Sequence, residues 1–419
     1  MNKIEELVYH AVSGNPTLKN FIRNTYQALF DMLPRKKEIL PSHISSVTGC
    51  HFGFHDCSTV SPDDTKLLVV KTSFDLRMPR PNESAEIGYY EINSIEEIGS
   101  YHKIDDTLSW NWHKGSREQW INNETVIFNT FINGSLCSKS VNISTGKSIV
   151  HAYPIDSISP DGKIATTFSY ERLELCMPGY GYPYQDDSYL NEEAPKGTGL
   201  YIFDLISGER KLIVSINDLL KTLPIEYHKG YTHFITHTEF SPDGRFVCFM
   251  HRWTQPTGNI LKRRERLIVY ELATKSFIEL PSGLTASHYA WNNKHQIIAS
   301  VVLDGKCCHA LFDIHDIKHT RIIAGDVLNT DGHQSFINDN EFITDTYPDK
   351  RRNVSIYRVN IEKNKATLLA RVYSPKKFQT KDNKCHIACD LHPRMSYSKK
   401  YYSFDSPRTG KRSVYLVRL

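Results

Sequence analysis

SPDGRFVCFM, residues 241–250, has two counterparts elsewhere in the sequence: SPDDTKLLVV at 61–70 and SPDGKIATTF at 159–168. In each copy Pro presets a turn dihedral, and Asp or Gly tolerates the left-handed position that closes the turn. An apolar run follows each turn at once. The motif therefore predicts three β-hairpins in equivalent places of a repeated unit.

The repeated unit extends beyond the hairpin. Degenerate copies of the turn lie at 291–295, 337–341 and 395–400, and a third apolar run follows, such as RLIVYEL at 266–272. Most copies continue into a polar turn and a fourth run. A four-stranded meander recurring along the chain is typical of a propeller blade. Inner strands are predicted near residues 55, 110, 155, 237, 288, 333 and 392, which makes seven blades.

The two ends of the sequence differ from the repeats. Residues 1–35 have helical spacing and predict an N-terminal α-helical extension, which could mediate homo-oligomerisation. The seventh repeat stops after its third strand, and KKEILPS at 36–42 resembles the fourth strand KSFIELPS at 275–282. We therefore predict an all-β seven-bladed β-propeller over 36–419, closed by a strand at about 36–42, with an insertion at 171–198 in blade three.

Composition excludes several classes of protein. Of 419 residues 40% are hydrophobic and 23% charged, which is typical of a folded chain rather than a disordered one. No apolar run is long enough to span a membrane. A net charge of +4 gives no reason to expect nucleic acid as a partner. The N-terminus shows no secretory signal, and the nine cysteines form no CxxC pair, so reduced thiols and a cytoplasmic location are expected.

Histidines recur at the start of the predicted inner strands, which converge at one mouth of a propeller channel. His237, His288, His333 and His392 hold comparable positions in consecutive blades. Converging imidazoles suit Mn, Fe, Zn or Ni, and Gln334 could add an oxygen ligand. The alternative is that each histidine bonds to the backbone of a neighbouring blade.

A second group of candidates follows the hairpin of blade four. His251 could act as a general base, and Arg252 could bind a carboxylate, with Trp253 beside them. The basic run at 262–266 close by could instead be only a solvated hairpin.

A third group surrounds the insertion. Tyr170, Arg172, Tyr180 and Tyr182 lie in or beside it, and tyrosine rings suit contact with sugar rings. The alternative is a rigid packed loop.

Two residues of blade two belong with the insertion as candidates. Trp112 and His113 could form part of the same rim, or they could belong to the core of the blade.

These segments together resemble the oligogalacturonate lyase group of seven-bladed propellers. The resemblance is carried by stretches that share one feature, a histidine or an SPD-like turn: FHDCSTVSPDDTKLL (54–68), HTEFSPDGRFVCFMHRW (237–253), SHYAW (287–291), DGHQSFINDNEFITDTYPD (331–349) and CDLHPRMSYSKKYYSFDS (389–406). NWHKG (111–115) and RLELCMPGYGY (172–182) resemble a subgroup to which we attach no activity.

The resemblance implies a divalent metal, usually manganese, and β-elimination on an acidic sugar. By position His288 and His333 look like metal ligands, and Gln334 and His392 are further candidates. His237 or His251 would then be the base.

The carboxylate partner implied by the resemblance would be Arg172 or Arg252. MHRWT replaces an acidic, glycine-containing segment of the lyases, so the substrate carries over less directly than the metal does.

The sequence thus predicts a metal-dependent lyase-like enzyme acting on an acidic, uronate-type oligosaccharide. Two alternatives remain open on the same scaffold. One is another carbohydrate-active enzyme, such as a hydrolase or a polysaccharide-biosynthesis enzyme. The other is a non-catalytic propeller that binds a glycan or a protein.

Overall fold

A computed structural model describes residues 36–182, 184, 187–226, 230–255, 263–380 and 385–419, together with Ile22 and Thr25. Its strands form seven antiparallel sheets, which confirms the predicted seven-bladed propeller. Apart from those two positions, the predicted helical extension at 1–35 lies outside the described residues.

Each blade runs outward from the channel in chain order. Blade one contains β2 (Cys50–His51), β3 (Lys66–Lys71), β4 (Ala85–Ile92) and β5 (Ile98–Thr107). Blade two contains β6 (Gln119–Trp120), β7 (Thr125–Ile132), β8 (Ser135–Asn142) and β9 (Ser148–His151). Blade three contains β10 (Ile164–Thr167), β11 (Gly199–Asp204) and β12 (Arg210–Ser215), with an inner bridge from Ile158 to Ala165.

The next three blades each have four strands. Blade four contains β13 (Thr232–Phe240), β14 (Phe246–Thr254), β15 (Arg264–Glu271) and β16 (Phe277–Glu279). Blade five contains β17 (Ala286–Trp291), β18 (Gln296–Leu303), β19 (Lys306–Asp313) and β20 (Arg321–Ile322). Blade six contains β21 (Gln334–Asn338), β22 (Glu341–Asp345), β23 (Asn353–Asn360) and β24 (Lys365–Tyr373).

Blade seven is completed by a strand from the start of the propeller. Strands β25 (Arg394–Met395), β26 (Tyr401–Ser406) and β27 (Ser413–Arg418) are followed in the sheet by β1 (Ile44–Thr48), which pairs with β27. The closing strand is therefore 44–48 rather than 36–42. Within the predicted segment, Ile39 instead forms a backbone bridge to Arg371 in blade six. The prediction selected the wrong one of two neighbouring segments, because it rested on the likeness of 36–42 to 275–282 and not on strand pairing.

The SPD turns have the geometry that the motif predicts. The Ser61, Ser159 and Ser241 hydroxyls each donate to the Asp two residues later, at 2.5, 2.6 and 2.6 Å. The same hydroxyl oxygens accept from the first amide of the next strand. The closing Gly162 and Gly244 have φ of 71° and 72°. These contacts fix the turn at the end of the inner strand, and thereby fix the strand's register.

Two short α-helices stand out in the part of the chain that the structure describes. Helix α1 (Tyr170–Cys176) begins the connection between β10 and β11, which includes the predicted insertion at 171–198, and Ser169 caps its N-terminus. Helix α2 (Ile216–Thr222) follows β12 and is capped by Ser215. Neither has the length or apolar character needed to cross a membrane, and nor does any other helix in the described ranges.

Candidate functional site

Five histidines surround one aromatic ring at a mouth of the channel. The ring of Phe54 lies 4.5–6.4 Å, centroid to centroid, from those of His55, His237, His288, His333 and His392. Three of these rings lie closer to one another: His288 to His333 is 4.0 Å and His333 to His392 is 4.2 Å. The in-phase histidines of the sequence therefore meet in space.

His333 is oriented by a buried carboxylate. Its Nδ1 lies 2.8 Å from Asp345 Oδ1, which also accepts from the His333 backbone amide at 2.8 Å. A carboxylate only accepts, so Nδ1 carries a proton, and in the neutral ring the lone pair lies on Nε2. Burial lowers the pKa of His333, but Asp345 outweighs burial and raises it, so the site favours a positive charge at Nε2. That Nε2 is buried and has no hydrogen-bond partner within the described chain. A buried imidazole nitrogen without a hydrogen-bond partner, on a ring oriented by a carboxylate, is suited to bind a metal ion.

Asp345 also holds a second histidine of the group. Its Oδ2 accepts from the backbone amide of His392 at 3.1 Å. Burial lowers the pKa of His392 well below its ordinary value, and neighbouring His333 adds to the effect. The His392 ring is therefore neutral near pH 7 and able to donate a lone pair.

His333, His392 and Asp390 form a metal-competent group, with one ligand atom from each lying within 4.8 Å of the others. Burial raises the pKa of Asp390 to about 6, and nearby Asp345 and Asp331 add to it against the opposing effect of His333. A bound cation would relieve this clustering of carboxylates. The donor set of two imidazoles and one carboxylate fits a divalent first-row metal. The residues present therefore fit the implied metal.

Asp390 was missed by the sequence analysis, although a signal existed. CDLH places Asp390 and His392 two residues apart, which in extended backbone puts both on one face.

His288 stands beside this group with its own carboxylate. Its Nδ1 lies 3.1 Å from Asp331 Oδ1, and the Ser287 hydroxyl donates to the same oxygen. The carboxylate fixes the same tautomer as in His333. The geometry thus keeps His288 as a further ligand candidate, 4.0 Å ring to ring from His333.

Gln334 is anchored to blade five through its side-chain nitrogen. Its amide nitrogen lies 2.7 Å from Ser300 Oγ and 3.0 Å from His309 Nδ1, both in blade five. Its backbone carbonyl accepts from His55 Nδ1 at 2.9 Å. The side-chain oxygen Oε1 is buried without a hydrogen-bond partner among the described residues. The ligand role of Gln334 therefore stays a prediction.

His251 lies in a different buried cluster. Its Nε2 is 3.1 Å from His233 Nδ1, and its Nδ1 accepts from Arg266 Nε at 3.1 Å. The ring packs with those of His233 and Trp253 and has no exposed surface. With both nitrogens engaged, His251 cannot serve as the predicted base, and Trp253 is core rather than rim.

His237 remains the candidate for that role. Burial lowers its pKa well below the ordinary value, with Lys114 and Arg252 adding to the effect. Its Nδ1 lies 2.9 Å from Thr236 Oγ1, and Nε2 forms no hydrogen bond within the described chain. A positive φ of 52°, at a bulge in β13, turns this residue toward the channel.

The two candidate arginines have different surroundings. Arg172 donates to the backbone carbonyls of His233, Tyr189 and Glu192. Its guanidinium therefore holds the insertion on blade four and is not available to a substrate. Arg252 pairs through Nε with Glu265 at 2.6 Å and places Nη1 3.1 Å from Met177 Sδ. Its charge acts on His237 and His288, which places it near the histidine mouth. Arg252 is therefore the better partner for a carboxylate.

Three of the predicted aromatic contacts are buried structure. The Tyr170 hydroxyl donates to the Ile155 carbonyl at 2.6 Å, and Tyr182 stacks on Tyr170 at 4.7 Å. Trp112 donates its indole N–H to the backbone carbonyl of Arg77 and packs against Trp110. Each is no more than 3% exposed and its polar atom bonds within the protein, so all three support the structure and are not placed to bind a sugar.

Tyr180 and His113 do meet at the mouth. Their rings stack at 4.5 Å with an interplanar angle of 9°. His113 Nδ1 lies 4.0 Å from Asp390 Oδ2, and its Nε2 is buried without a partner in the described part of the chain. The Asn111 side chain donates to the carbonyls of Tyr180 and Gly181, which fastens the insertion to the NWHKG segment.

A buried ion network supports the mouth from below. Lys114 Nζ lies 2.6 Å from Asp156 Oδ1, and Asp156 Oδ2 accepts from the amide and hydroxyl of Thr238. Arg117 forms a bidentate pair with Asp56. The network joins blades one to four around the channel.

Fold and site together define a seven-bladed β-propeller with a histidine- and carboxylate-lined channel mouth. No protein-family model matches the chain, and no curated protein matches it. Similar solved structures include an oligogalacturonate lyase from Vibrio parahaemolyticus, 12% identical with a TM-score of 0.57, covering 91% of this chain and 96% of that one. An oligogalacturonate lyase in complex with manganese is 14% identical with a TM-score of 0.59, covering 92% and 98%. These neighbours establish the fold.

Proposed function

We propose that the protein is a metal-dependent lyase acting on an acidic, uronate-type oligosaccharide by β-elimination. The observation that carries the proposal is the group of His333, His392 and Asp390 at the channel mouth. The structural likeness to a lyase that binds manganese supports the same choice of cofactor. His288 is a further candidate ligand.

The reaction requires removal of a proton beside a carboxylate. A divalent cation at this site would neutralise the sugar carboxylate and so make that C–H more acidic. Arg252 would hold the same carboxylate, since its Nη2 has no partner among the described residues. His237, neutral and with a free Nε2, would accept the proton. The C–H electron pair becomes the new double bond, and the leaving oxygen departs with its bonding pair.

Tyr180 would supply the sugar-binding face. Its ring is half-buried and is held flat against His113. Aromatic rings in this setting contact the C–H face of a sugar while the hydroxyl stays available for hydrogen bonding. The mouth would thus bind the ring beside the group that binds the carboxylate.

The test is to incubate the Mn²⁺-loaded protein with a panel of uronate oligomers. Elimination creates a double bond conjugated with the carboxylate, which absorbs in the ultraviolet. We expect absorbance to rise with the wild-type protein. For His237→Ala, the rate of this rise should be lower by about 10²-fold or more. His151→Ala, in the outermost strand of blade two, is the matched control and should keep full activity.

New reducing ends without ultraviolet absorbance would contradict elimination and favour a hydrolase. Saturable binding of the oligomers without any turnover would favour the non-catalytic alternative.

A further inference from the structure

The opposite mouth of the channel is a cavity that the proposed reaction does not use. It lies at the ends of the inner strands, has a volume of about 960 Å³, and is bordered by Pro62, Pro160 and Pro242 of the three SPD turns. His55 lines its inner end, between the cavity and the histidine group. The volume is in the range of small-molecule binding sites.

One acidic and one basic side chain line this cavity, and burial shifts the pKa of each toward its neutral form. Glu239 comes from β13 in blade four, and Lys399 from the turn before β26 in blade seven. No ion pair joins them in the described ranges, although Lys399 acts electrostatically on Glu239. Burial, with nearby Asp56, raises the pKa of Glu239 well above its ordinary value. Lys399 Nζ donates one bond, to the Phe336 carbonyl at 3.0 Å, which leaves two N–H groups.

A third polar group faces no partner. Trp291 in blade five lines the cavity and is 5% exposed, and its indole Nε1 has no hydrogen-bond acceptor within the described chain. This nitrogen has almost no accessible surface, so it is an unpaired donor within the cavity wall and not a contact for a ligand. By contrast, Asp56 at the cavity floor is already neutralised by Arg117.

We propose that this cavity binds a short peptide with both ends free. Its ammonium group would supply the missing counter-charge to Glu239, and its carboxylate would do the same for Lys399. An acid and a base that both lack a counter-charge in one cavity complement a zwitterion better than a ligand of single charge. The wall beside Lys399 includes Trp120 and the exposed ring of Tyr397, which suit an apolar side chain. This inference does not depend on the proposed lyase activity.

Calorimetric titration of the full chain with the tripeptide Ala-Phe-Ala tests the proposal. The probe is compared with its N-acetylated and its C-amidated forms. We expect saturable binding of the free tripeptide, and each cap should weaken it about tenfold or more, because each removes one charge-assisted contact. The Glu239→Gln variant should bind the free and the acetylated peptide with equal affinity. The Lys399→Met variant should bind the free and the amidated peptide with equal affinity. Lys400→Met, exposed and adjacent, is the control and should behave as the wild type.

Several outcomes would overturn the proposal. One is the absence of saturable binding by the wild type, and another is equal affinity for free and capped peptides. Loss of binding in His333→Ala would place the peptide at the histidine mouth instead. If Glu239→Gln does not melt cooperatively, the Lys399→Met comparison alone decides the carboxylate contact, and equal effects of amidation in both proteins would refute it.

Discussion

At the residue scale, one carboxylate organises the histidine mouth. Asp345 accepts from His333 Nδ1 and from the backbone amides of both His333 and His392. It thereby fixes the tautomer of one ligand candidate and the backbone of another. Groups that orient metal ligands from behind contribute strongly to affinity without touching the ion.

We therefore expect Asp345→Asn to weaken Mn²⁺ binding about 10–100-fold. An amide can still accept from the backbone but no longer holds the His333 ring by a charged contact. The measurement is the Mn²⁺ dissociation constant from equilibrium dialysis. Asp161→Asn, in an exposed turn of blade three, is the control. Unchanged affinity in Asp345→Asn would show that Asp345 does not position the ligands.

The sequence located these histidines but not every partner. His237, His288, His333 and His392 share one phase relative to the SPD turns, so convergence followed from the repeat alone. The repeat does not tell which side chains of a neighbouring blade contact a given residue. His251 and Arg172 therefore looked like site residues, whereas both are buried and hydrogen-bonded elsewhere.

At the element scale, blades are joined beneath the mouth by the buried pair of Lys114 and Asp156. Both side chains are fully buried. Burial alone would raise the pKa of Asp156, but Lys114 and Arg117 outweigh it and hold the pKa at about 2. Removing Lys114 leaves the buried Asp156 with only Arg117 as a counter-charge, which costs far more than the loss of a surface pair.

We expect Lys114→Met to lower the free energy of unfolding by about 3–5 kcal/mol at neutral pH. The depressed pKa contributes stability that is fully present above the unfolded carboxyl pKa, about 3.9, and is lost as pH falls toward 2. The difference between wild type and variant should therefore shrink on acidification. Denaturant unfolding at several pH values measures it, with Lys163→Met in an exposed pair as control. A difference independent of pH would contradict this role.

At the scale of the whole molecule, a single strand closes the ring. Strand β1 pairs with β27 over five residues, and its Val47 is buried against Val414 and Leu416. The sequence repeats predicted the need for such a strand, because the seventh repeat is one strand short. The repeats placed the closing strand at 36–42. Periodicity identifies a strand but does not tell which of two neighbouring segments pairs with β27.

We expect a chain beginning at His43 to melt cooperatively and a chain beginning at Gly49 not to. The second chain lacks β1 and exposes the edge of β27, which favours aggregation. Calorimetry and size-exclusion chromatography of both chains provide the measurement. Equal melting temperatures for the two would mean that β1 does not close the propeller.

The proposed lyase chemistry depends on a divalent metal at the channel mouth. The most direct test of that metal site is equilibrium dialysis of the purified protein against Mn²⁺, with His333→Ala dialysed in parallel. We predict about one ion per wild-type chain, a higher melting temperature with the ion, and neither effect in the variant. Binding of less than about 0.2 ion per wild-type chain, with no change in melting temperature, would contradict a metal site at the channel mouth.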